Sequence, residues 1–387
     1  MGQVIWNETT LTSRIAWEGR AHRGKEVRGK GVFTFPLGPV RADVAEAVHY
    51  RLAVMGDEIL RLDVVNGLKI RHVLQKATGH KVSRALSYIE RITGTSPVAH
   101  AWAFCMAVES TNGELLPSDV HWSRSILAEL ERVMSHLGDL AALSVSTGLP
   151  IPQMMYWHVK ERVLRMMERL VGHRYGRGAI VPGGLFGRTL SLLDLSDLVD
   201  EVMRWQVEIQ KVRRTLEHTP SFLDRLVGAG QIPHSTLEFV RPVGPIGRAA
   251  GSSLDVRQFR SYGAYQRFPI PVATYSDRDA RARFEVKADE LAASVEWLKH
   301  YLWRWKPWVG PGNLDARTGG LGMVEAPRGQ LIYQLHVAVG VVQDIALTTP
   351  SQRNWYVVAP AMQNHNIMQD FPIIDASFNL SVAGWDQ

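Results

Sequence analysis

The stretch that decides the fold is YIERITGTSPVAHAWAFCMAVES, from Tyr88 to Ser110. It has the form of a metal-binding loop that runs into an apolar helix. Thr93 and Ser96 stand three residues apart around a glycine, in the pattern R-x-T-G-x-S. A cysteine pair at that spacing would predict a metal site strongly, whereas a Thr/Ser pair does not. The sequence therefore raises the question of what this loop does without thiol ligands.

The 387-residue chain contains one cysteine, Cys105. This count excludes internal disulfides, zinc sites built on cysteine and an iron–sulfur cluster held by this chain. Cys105 lies in the apolar run AWAFCMAV, which predicts a buried small hydrophobe. Redox chemistry at this protein would need a metal that a partner carries.

The formal net charge is +6, and part of the excess is concentrated in the glycine-rich basic loop Arg20–Gly31. Such a loop is either a solvated surface segment or a contact for anionic lipid headgroups or an acidic partner. Nucleic acid is a weaker explanation, because no aromatic residues interleave with the charges. No apolar run approaches the roughly 20 residues that span a bilayer.

The pattern of apolar residues divides the chain into three regions. Residues 1–75 alternate apolar and polar positions and contain a predicted hairpin around Met55–Glu58, besides the basic loop. Residues 76–310 are mostly amphipathic helix and carry the loop quoted above. Residues 311–387 return to strand-like runs and end in a short tail. We predict an α+β protein in which N-terminal and C-terminal β segments flank a largely helical core.

The start and end of the long central helix can be predicted from its flanking residues. Ser118 or Asp119 is the expected N-cap, since Pro117 precedes a run with a period of 3.6 residues. Gly148 and Pro150 are expected to end the helix.

The segment Glu90–His100 resembles the first ligand motif of the nickel–iron hydrogenase large subunit, E-R-x-C-G-x-C-P-x-A-H. In that alignment Thr93 and Ser96 occupy the cysteine positions. The tail SFNLSVAGWDQ resembles the second ligand motif, S-F-D-P-C-x-x-C, with Ser381 and Gly384 at its cysteine positions.

Further motifs of the same superfamily, which includes the quinone-site large subunit of respiratory complex I, follow in the expected order. They are LAELERVMSHLGDLAAL (127–143), ERLVGHRYGRGAIVPGGL (168–185), GPIGRAAGSSLDVRQFRSYGAY (244–265) and EAPRGQLIY (325–333). The resemblance runs from about Gly38 to the C-terminus, nearest to the energy-converting hydrogenase-like branch.

The residues at the four ligand positions argue against hydrogenase activity. A nickel–iron centre needs soft thiolate ligands, which hydroxyl groups and glycine do not supply. The family's proton-relay glutamate lies in an R-G-x-E segment, and here Arg71 is retained while Leu74 stands at the glutamate position. The resemblance therefore implies vestigial metal positions and no hydrogenase chemistry.

The sequence also departs from the complex I family pattern at the positions that bind the quinone headgroup in that family. The G-P-Q-H-P loop of that family corresponds to Gly38–Arg41, with Arg41 at the histidine position. Gly94 stands at the position of the family's headgroup tyrosine. Arg41 either binds an acidic or phosphate-like ligand or fills the pocket by a salt bridge to Asp43 or another carboxylate, and we favour the filling role.

Other candidates have structural explanations beside functional ones. Arg328 matches an arginine that reaches toward the metal in hydrogenases, and we expect it to hold a loop through carbonyl groups. His100 is expected to bond the backbone at a helix start rather than act as a ligand. Glu129 and Glu131 are expected in salt bridges between helices. The segment Arg248–Arg257 is expected to form a structural ion-pair network.

The resemblance implies a large subunit of a membrane-associated, complex I-like oxidoreductase at the cytoplasmic face of the membrane. It would hold no cofactor of its own, and it would pair with a small subunit carrying an iron–sulfur cluster. Membrane ion-translocating subunits and other hydrophilic complex I-like subunits are the further expected partners, with quinone as the candidate ligand. The alternative is a non-catalytic, hydrogenase-like scaffold in cofactor assembly, which the absence of thiols disfavours.

Overall fold

The structure is a computed structural model that describes residues 27–40, 46–110, 116–309 and 319–386. Arg41, Asp43 and most of the basic loop lie outside the described residues. The predicted roles of these residues therefore stay predictions.

The N-terminal region forms a three-stranded antiparallel sheet in the order β1-β2-β3. The strands are β1 (Val32–Leu37), β2 (His49–Met55) and β3 (Glu58–Val65). The predicted hairpin is confirmed, because β2 and β3 pair from His49 opposite Val65 to Met55 opposite Glu58. Alternation along β2 turns Tyr50 and Leu52 into the core.

The central region is helical, as predicted. Its helices are α1 (Val73–Ala77), α2 (Val82–Ile89), α3 (Pro97–Ser110), α4 (Ser118–Ser146), α5 (Pro150–Val171), α6 (Leu192–Glu217), α7 (Pro220–Leu226), α8 (His234–Val240), α9 (Gly244–Arg248), α10 (Val256–Phe259) and α11 (Ala280–Tyr301). The strands β4 (Ile180–Val181), β5 (Gly184–Leu185) and β6 (Trp308–Val309) form a small antiparallel sheet beside these helices.

The predicted N-cap of α4 is wrong. Pro117 occupies the cap position in an extended conformation, and no side chain caps the helix. Proline fits there because its restricted φ is compatible with a helix start and it has no N–H to satisfy. The predicted end is confirmed, since Gly148 has a positive φ of 84° and Pro150 begins α5.

The C-terminal region contains a second three-stranded antiparallel sheet, in the order β7-β8-β9. Its strands are β7 (Gly319–Ala326), β8 (Gly329–Ala338) and β9 (Val341–Thr348). The tail that follows folds into short helices. These are α12 (Pro350–Asn354), α13 (Val358–Met362), α14 (Phe371–Phe378) and α15 (Ala383–Asp386).

Helix α3 lies at the centre of the molecule and is buried along almost its whole length. It packs so closely on β7 that a Cβ added at Gly322 would lie 1.9 Å from the Ala103 carbonyl oxygen. Glycine is required at this contact for that reason. Cys105, in the middle of α3, is fully buried and free, as predicted. This packing fixes the loop before α3 next to the C-terminal tail.

Candidate functional site

The four candidate metal-ligand positions converge on one small cavity. Thr93 and Ser96 come from the loop before α3, whereas Ser381 comes from the segment between α14 and α15 and Gly384 from α15. All four line a cavity of about 20 Å³. Residues that are almost 300 positions apart in sequence are thus brought together by the packing of α3 against the C-terminal region.

The hydroxyl groups around this small cavity bond to one another and to nearby groups. Thr93 Oγ1 and Ser96 Oγ are 2.5 Å apart, and both residues are buried. Ser381 Oγ donates to Glu46 Oε2 at 3.2 Å and accepts the backbone N–H of Gly384 at 3.1 Å. Their hydrogen-bonding capacity is therefore used within the protein.

These residues do not fit a nickel–iron centre. The side chains at the four positions are hydroxyl groups and a glycine hydrogen, which cannot replace soft thiolate ligands. A cavity of about 20 Å³ has room for about one water molecule. Among the described residues no group of three or more His, Cys, Asp or Glu side chains is arranged to hold a metal ion.

His100 lines the small cavity from the first turn of α3. Its Nδ1 atom lies 2.6 Å from the hydroxyl oxygen of Tyr333 on β8, so the expected bond to the backbone is wrong. Burial lowers the pKa of His100 to about 3, which keeps the imidazole neutral. His100 therefore ties α3 to the C-terminal sheet.

Arg328 stands between the small cavity and a larger one. Its Nε donates to the Asn379 carbonyl oxygen at 2.6 Å, and NH1 donates to Thr95 Oγ1 at 2.5 Å. The carbonyl bond agrees with the predicted loop-holding role. Arg71 also binds carbonyl groups, those of Arg91 and Ile92, at 2.8 and 2.5 Å.

In a fold that lacks the metal ligands, an arginine bonded to the Thr93 and Ser96 hydroxyls could fill the space of the metal site. Arg71 binds the main chain and Arg328 reaches Thr95, so neither of these two arginines does so. The space is closed instead by the approach of α15, where a Cβ added at Gly384 would lie 3.4 Å from Thr93 Cγ2.

Asp139 on α4 lies behind Arg328 and is buried. Its carboxylate pairs with Lys287 at 3.0 Å and with Arg328 at 3.4 Å, and it accepts a short hydrogen bond from Asn379. Burial alone would raise the pKa of Asp139, but the Lys287 ammonium and the Arg328 guanidinium outweigh it and hold the pKa below its ordinary value. This carboxylate thus anchors the wall between the two cavities.

Glu131 caps the helix that follows the loop, rather than forming the predicted salt bridge. It accepts the backbone N–H groups of Val98 and Ala99, at 2.7 and 3.0 Å. Burial raises the pKa of Glu131 to about 8, although these hydrogen bonds oppose the shift. Glu131 therefore satisfies the start of α3 at a site where its charge is costly.

The predicted ion-pair network lies deeper in the helical core. Arg248 pairs with Glu290 at 2.5 Å, with Glu325 at 2.9 Å and with Asp255 at 3.3 Å. Arg257 pairs with Asp255 at 2.8 Å, and with Glu129 at 3.1 Å as expected for that residue. All these side chains are buried, so the network fixes α4, α9, α11 and β7 together.

A larger cavity of about 860 Å³ opens beside the small one and shares Thr95, Arg328 and Ser381 with it. Its lining is mostly apolar, with a few polar side chains, as in small-molecule sites. The residues come from β1, β2, α4, α5 and α14, from the loops before β2 and α3, from the β7–β8 turn, and from the segments that follow α12 and α14. They are Leu37, Glu46, Val48, Tyr50, Gly94, Thr95, Ala142, Val145, Ser146, Gln153, Trp157, Arg328, Trp355, Phe371, Pro372, Asp375, Ala376, Asn379, Leu380, Ser381 and Val382.

Gly94, which stands at the position of the family's headgroup tyrosine, also lines this cavity and faces open space. A Cβ added there would meet no atom of the described residues within 4 Å. Glu46, Tyr50 and Asp375, which also line the cavity, were missed by the sequence analysis. Of these three residues, only Tyr50 could have been predicted from the sequence, because it occupies an inward position on β2. Isolated acidic residues in the loop before β2 and on α14 carry no local signal.

Comparison with known proteins agrees with the motifs. The family "Respiratory-chain NADH dehydrogenase, 49 Kd subunit" matches residues 147–318. A carbon monoxide-induced hydrogenase from Rhodospirillum rubrum is 26% identical over 353 residues, which are 88% of this chain and 96% of the relative. An NADH-quinone oxidoreductase subunit from Acidothermus cellulolyticus is 26% identical over 278 residues, 70% of this chain and 62% of the relative, so the chain covers less than two thirds of that protein.

The fold agrees as well. A chain of the membrane-bound sulfane sulfur reductase, described as an archaeal respiratory membrane complex, superposes with a TM-score of 0.85. The two chains are 21% identical, and the match covers 92% of this chain and 99% of the other. The predicted mixture of a helical core with β segments at both ends is confirmed. No helix in the described part of this chain has the length and hydropathy to cross a bilayer. The motifs, the family match and the relatives agree in relating this chain to the nickel–iron hydrogenase large subunits and the complex I quinone-site large subunits.

Proposed function

We propose that this chain is the large subunit of a membrane-associated, complex I-like oxidoreductase that passes electrons to a quinone and performs no hydrogenase chemistry. The observation that carries the proposal is the contrast between the two adjacent cavities. The one at the metal position has a volume of about 20 Å³, whereas its neighbour has about 860 Å³. Ligand sites for small molecules measure about 300–1,000 Å³.

The larger cavity has the chemistry of a site for an amphipathic ring. Side chains such as Val48, Trp157 and Phe371 supply apolar walls, and Tyr50 and Arg328 supply hydrogen-bond donors. A quinone needs this combination, because its ring is apolar and its two carbonyl oxygens accept hydrogen bonds. One relative is itself named an NADH-quinone oxidoreductase subunit, which supports the same ligand class.

The electrons would reach the cavity from an iron–sulfur cluster in a small partner subunit, since this chain has a single buried cysteine. One compared protein is named as a respiratory membrane complex and another as an oxidoreductase subunit, which supports assembly of this chain into a membrane complex. The proposal places the chain at the cytoplasmic face, on membrane ion-translocating subunits and beside other hydrophilic subunits. In this arrangement the chain supplies the walls of the ligand site, and its partners supply the electron path and the coupled ion movement.

The test uses the complex purified from native membranes. The complex is reduced with dithionite and mixed with decylubiquinone, and the reoxidation of the iron–sulfur signal is followed by electron paramagnetic resonance. We expect rapid reoxidation, no hydrogen uptake and no stoichiometric nickel by elemental analysis. Hydrogen uptake or stoichiometric nickel would contradict the proposal. Co-purification with hydrogenase maturation proteins instead of membrane subunits would support the scaffold alternative.

A further inference from the structure

We propose that Tyr50 and Asp375 form the proton-donating pair of the larger cavity, a role that rests on the proposed quinone reduction. Both residues line that cavity. The Tyr50 hydroxyl donates to Asp375 Oδ1 over 3.0 Å. Tyr50 is 1% exposed, whereas Asp375 is half-buried, so the phenol is sheltered and the carboxylate is the member nearer to water.

The pair is held from two sides of the molecule. Tyr50 lies on β2, the central strand of the N-terminal sheet, and its ring meets Phe371 edge to face with centroids 5.0 Å apart. Phe371 begins α14, and Asp375 follows one turn later on the same helix. The geometry of the hydroxyl is therefore set by rigid elements rather than by a loop.

The other charged groups among the described residues of the cavity, Glu46 and Arg328, hold neighbouring segments of the chain. Glu46 accepts from Ser381 Oγ at 3.2 Å and from the Ala383 N–H at 2.8 Å. Arg328 donates to Thr95 and Asn379, and pairs with Asp139. Tyr50 is the only phenol among the described residues that line the cavity, and it is a neutral donor whose proton can be replaced through its partner.

The proposed reduction adds two electrons and two protons to the quinone. Two electrons arrive one at a time from the iron–sulfur cluster of the partner subunit and reduce the quinone ring. One quinone oxygen takes the proton of the Tyr50 hydroxyl, and the other takes a proton from water, which gives the quinol. The Tyr50 phenolate regains its proton from water through Asp375, whose carboxylate first takes up that proton and then transfers it. The pair ends in its starting state.

The experiment measures steady-state reduction of decylubiquinone by the native complex from pH 6 to 9, with reduced methyl viologen as the electron donor. Tyr50→Phe removes only the hydroxyl, and we expect kcat to fall ~10²-fold with KM little changed, as for loss of a general acid. Asp375→Asn keeps an acceptor for Tyr50 but cannot relay a proton, and we expect a roughly tenfold lower kcat with an altered pH profile.

Tyr156→Phe is the matched control. Tyr156 is 1% exposed, its hydroxyl has no hydrogen-bond partner among the described residues, and it does not line the cavity. Its loss should leave kcat, KM and the pH profile unchanged. Wild-type kcat and pH profile in both Tyr50→Phe and Asp375→Asn would overturn the pair while leaving quinone reduction intact. A wild-type complex that neither binds nor reduces decylubiquinone would overturn the proposed function, and the pair with it.

Discussion

The two cavities share a wall but differ in their volume and in the polarity of their lining residues. The small cavity is closed by hydroxyl groups that bond to each other, with Thr93 and Ser96 2.5 Å apart. The larger cavity keeps an open volume of about 860 Å³ between apolar side chains and a few polar ones. This fold can therefore close the small cavity at the family's metal position and still keep the larger cavity open. The wall between the two cavities is anchored separately by Asp139, Lys287 and Arg328.

The largest effect is expected when that anchoring is removed. Asp139→Asn leaves Lys287 and Arg328 without their buried counter-charge. Loss of one partner of a buried ion pair costs about 3–5 kcal/mol, and the free energy of unfolding should fall by that amount. Urea denaturation followed by circular dichroism measures it. Asp344→Asn, at an exposed position of β9, is the control. A wild-type unfolding midpoint in Asp139→Asn would show that the wall does not depend on this charge.

The hydroxyl pair of the small cavity offers a sharper test. Ser96→Ala leaves the Thr93 hydroxyl buried without its partner, at a cost of about 1–3 kcal/mol. The double variant Thr93→Val with Ser96→Ala removes both polar groups and should be closer to wild type than the single variant. Thermal unfolding of the three proteins under one buffer condition compares them. A double variant less stable than Ser96→Ala would indicate that the cavity holds a polar ligand or water.

Glu131, which caps α3 next to the loop of the small cavity, gives the stability of the protein a predicted pH dependence. Its pKa of about 8 lies above the ordinary value of 4.5, so the folded state binds the proton more tightly than the unfolded chain. The contribution of Glu131 to stability is complete below pH 4.5 and is lost as the pH rises toward 8. Between these limits the free energy of unfolding of the wild type should fall more than that of Glu131→Gln, by on the order of a few kcal/mol. Equal slopes in the two proteins would show that Glu131 is already ionised in the folded state.

The smallest change in stability is expected in the larger cavity. Ala142 lines that cavity, so Ala142→Leu adds its extra carbons to open space and should alter the free energy of unfolding by less than about 1 kcal/mol. Its neighbour Ala141 is fully buried, and Ala141→Leu should cost about 1–3 kcal/mol by overpacking. Decylubiquinone reduction should nevertheless fall in Ala142→Leu, because the leucine occupies ligand space. Unchanged reduction in that variant would place the ligand elsewhere.

The sequence alone determined the helices and strands whose residue pattern lies within one continuous segment. Alternating residues around Met55–Glu58 predicted the β2–β3 hairpin, and the 3.6-residue period predicted α4, α5, α6 and α11. The ordered motifs were sufficient to predict the similarity to hydrogenase and complex I large subunits, since the residues of each motif are contiguous. The single cysteine limited the metal chemistry, because the number of thiolate ligands a chain can offer is set by its composition.

Tertiary structure alone decided how the sites are built. The ring partner of His100 is Tyr333, 233 residues away, and the Tyr50 hydroxyl meets Asp375 across 325 residues. The short helices in the tail and the role of Glu131 as a helix cap could not be predicted from neighbouring residues either. Each is stabilised by contacts with elements that are distant in sequence. Hydrogen bonds and ion pairs depend on distances of a few ångströms, and those distances follow from packing rather than from spacing along the chain.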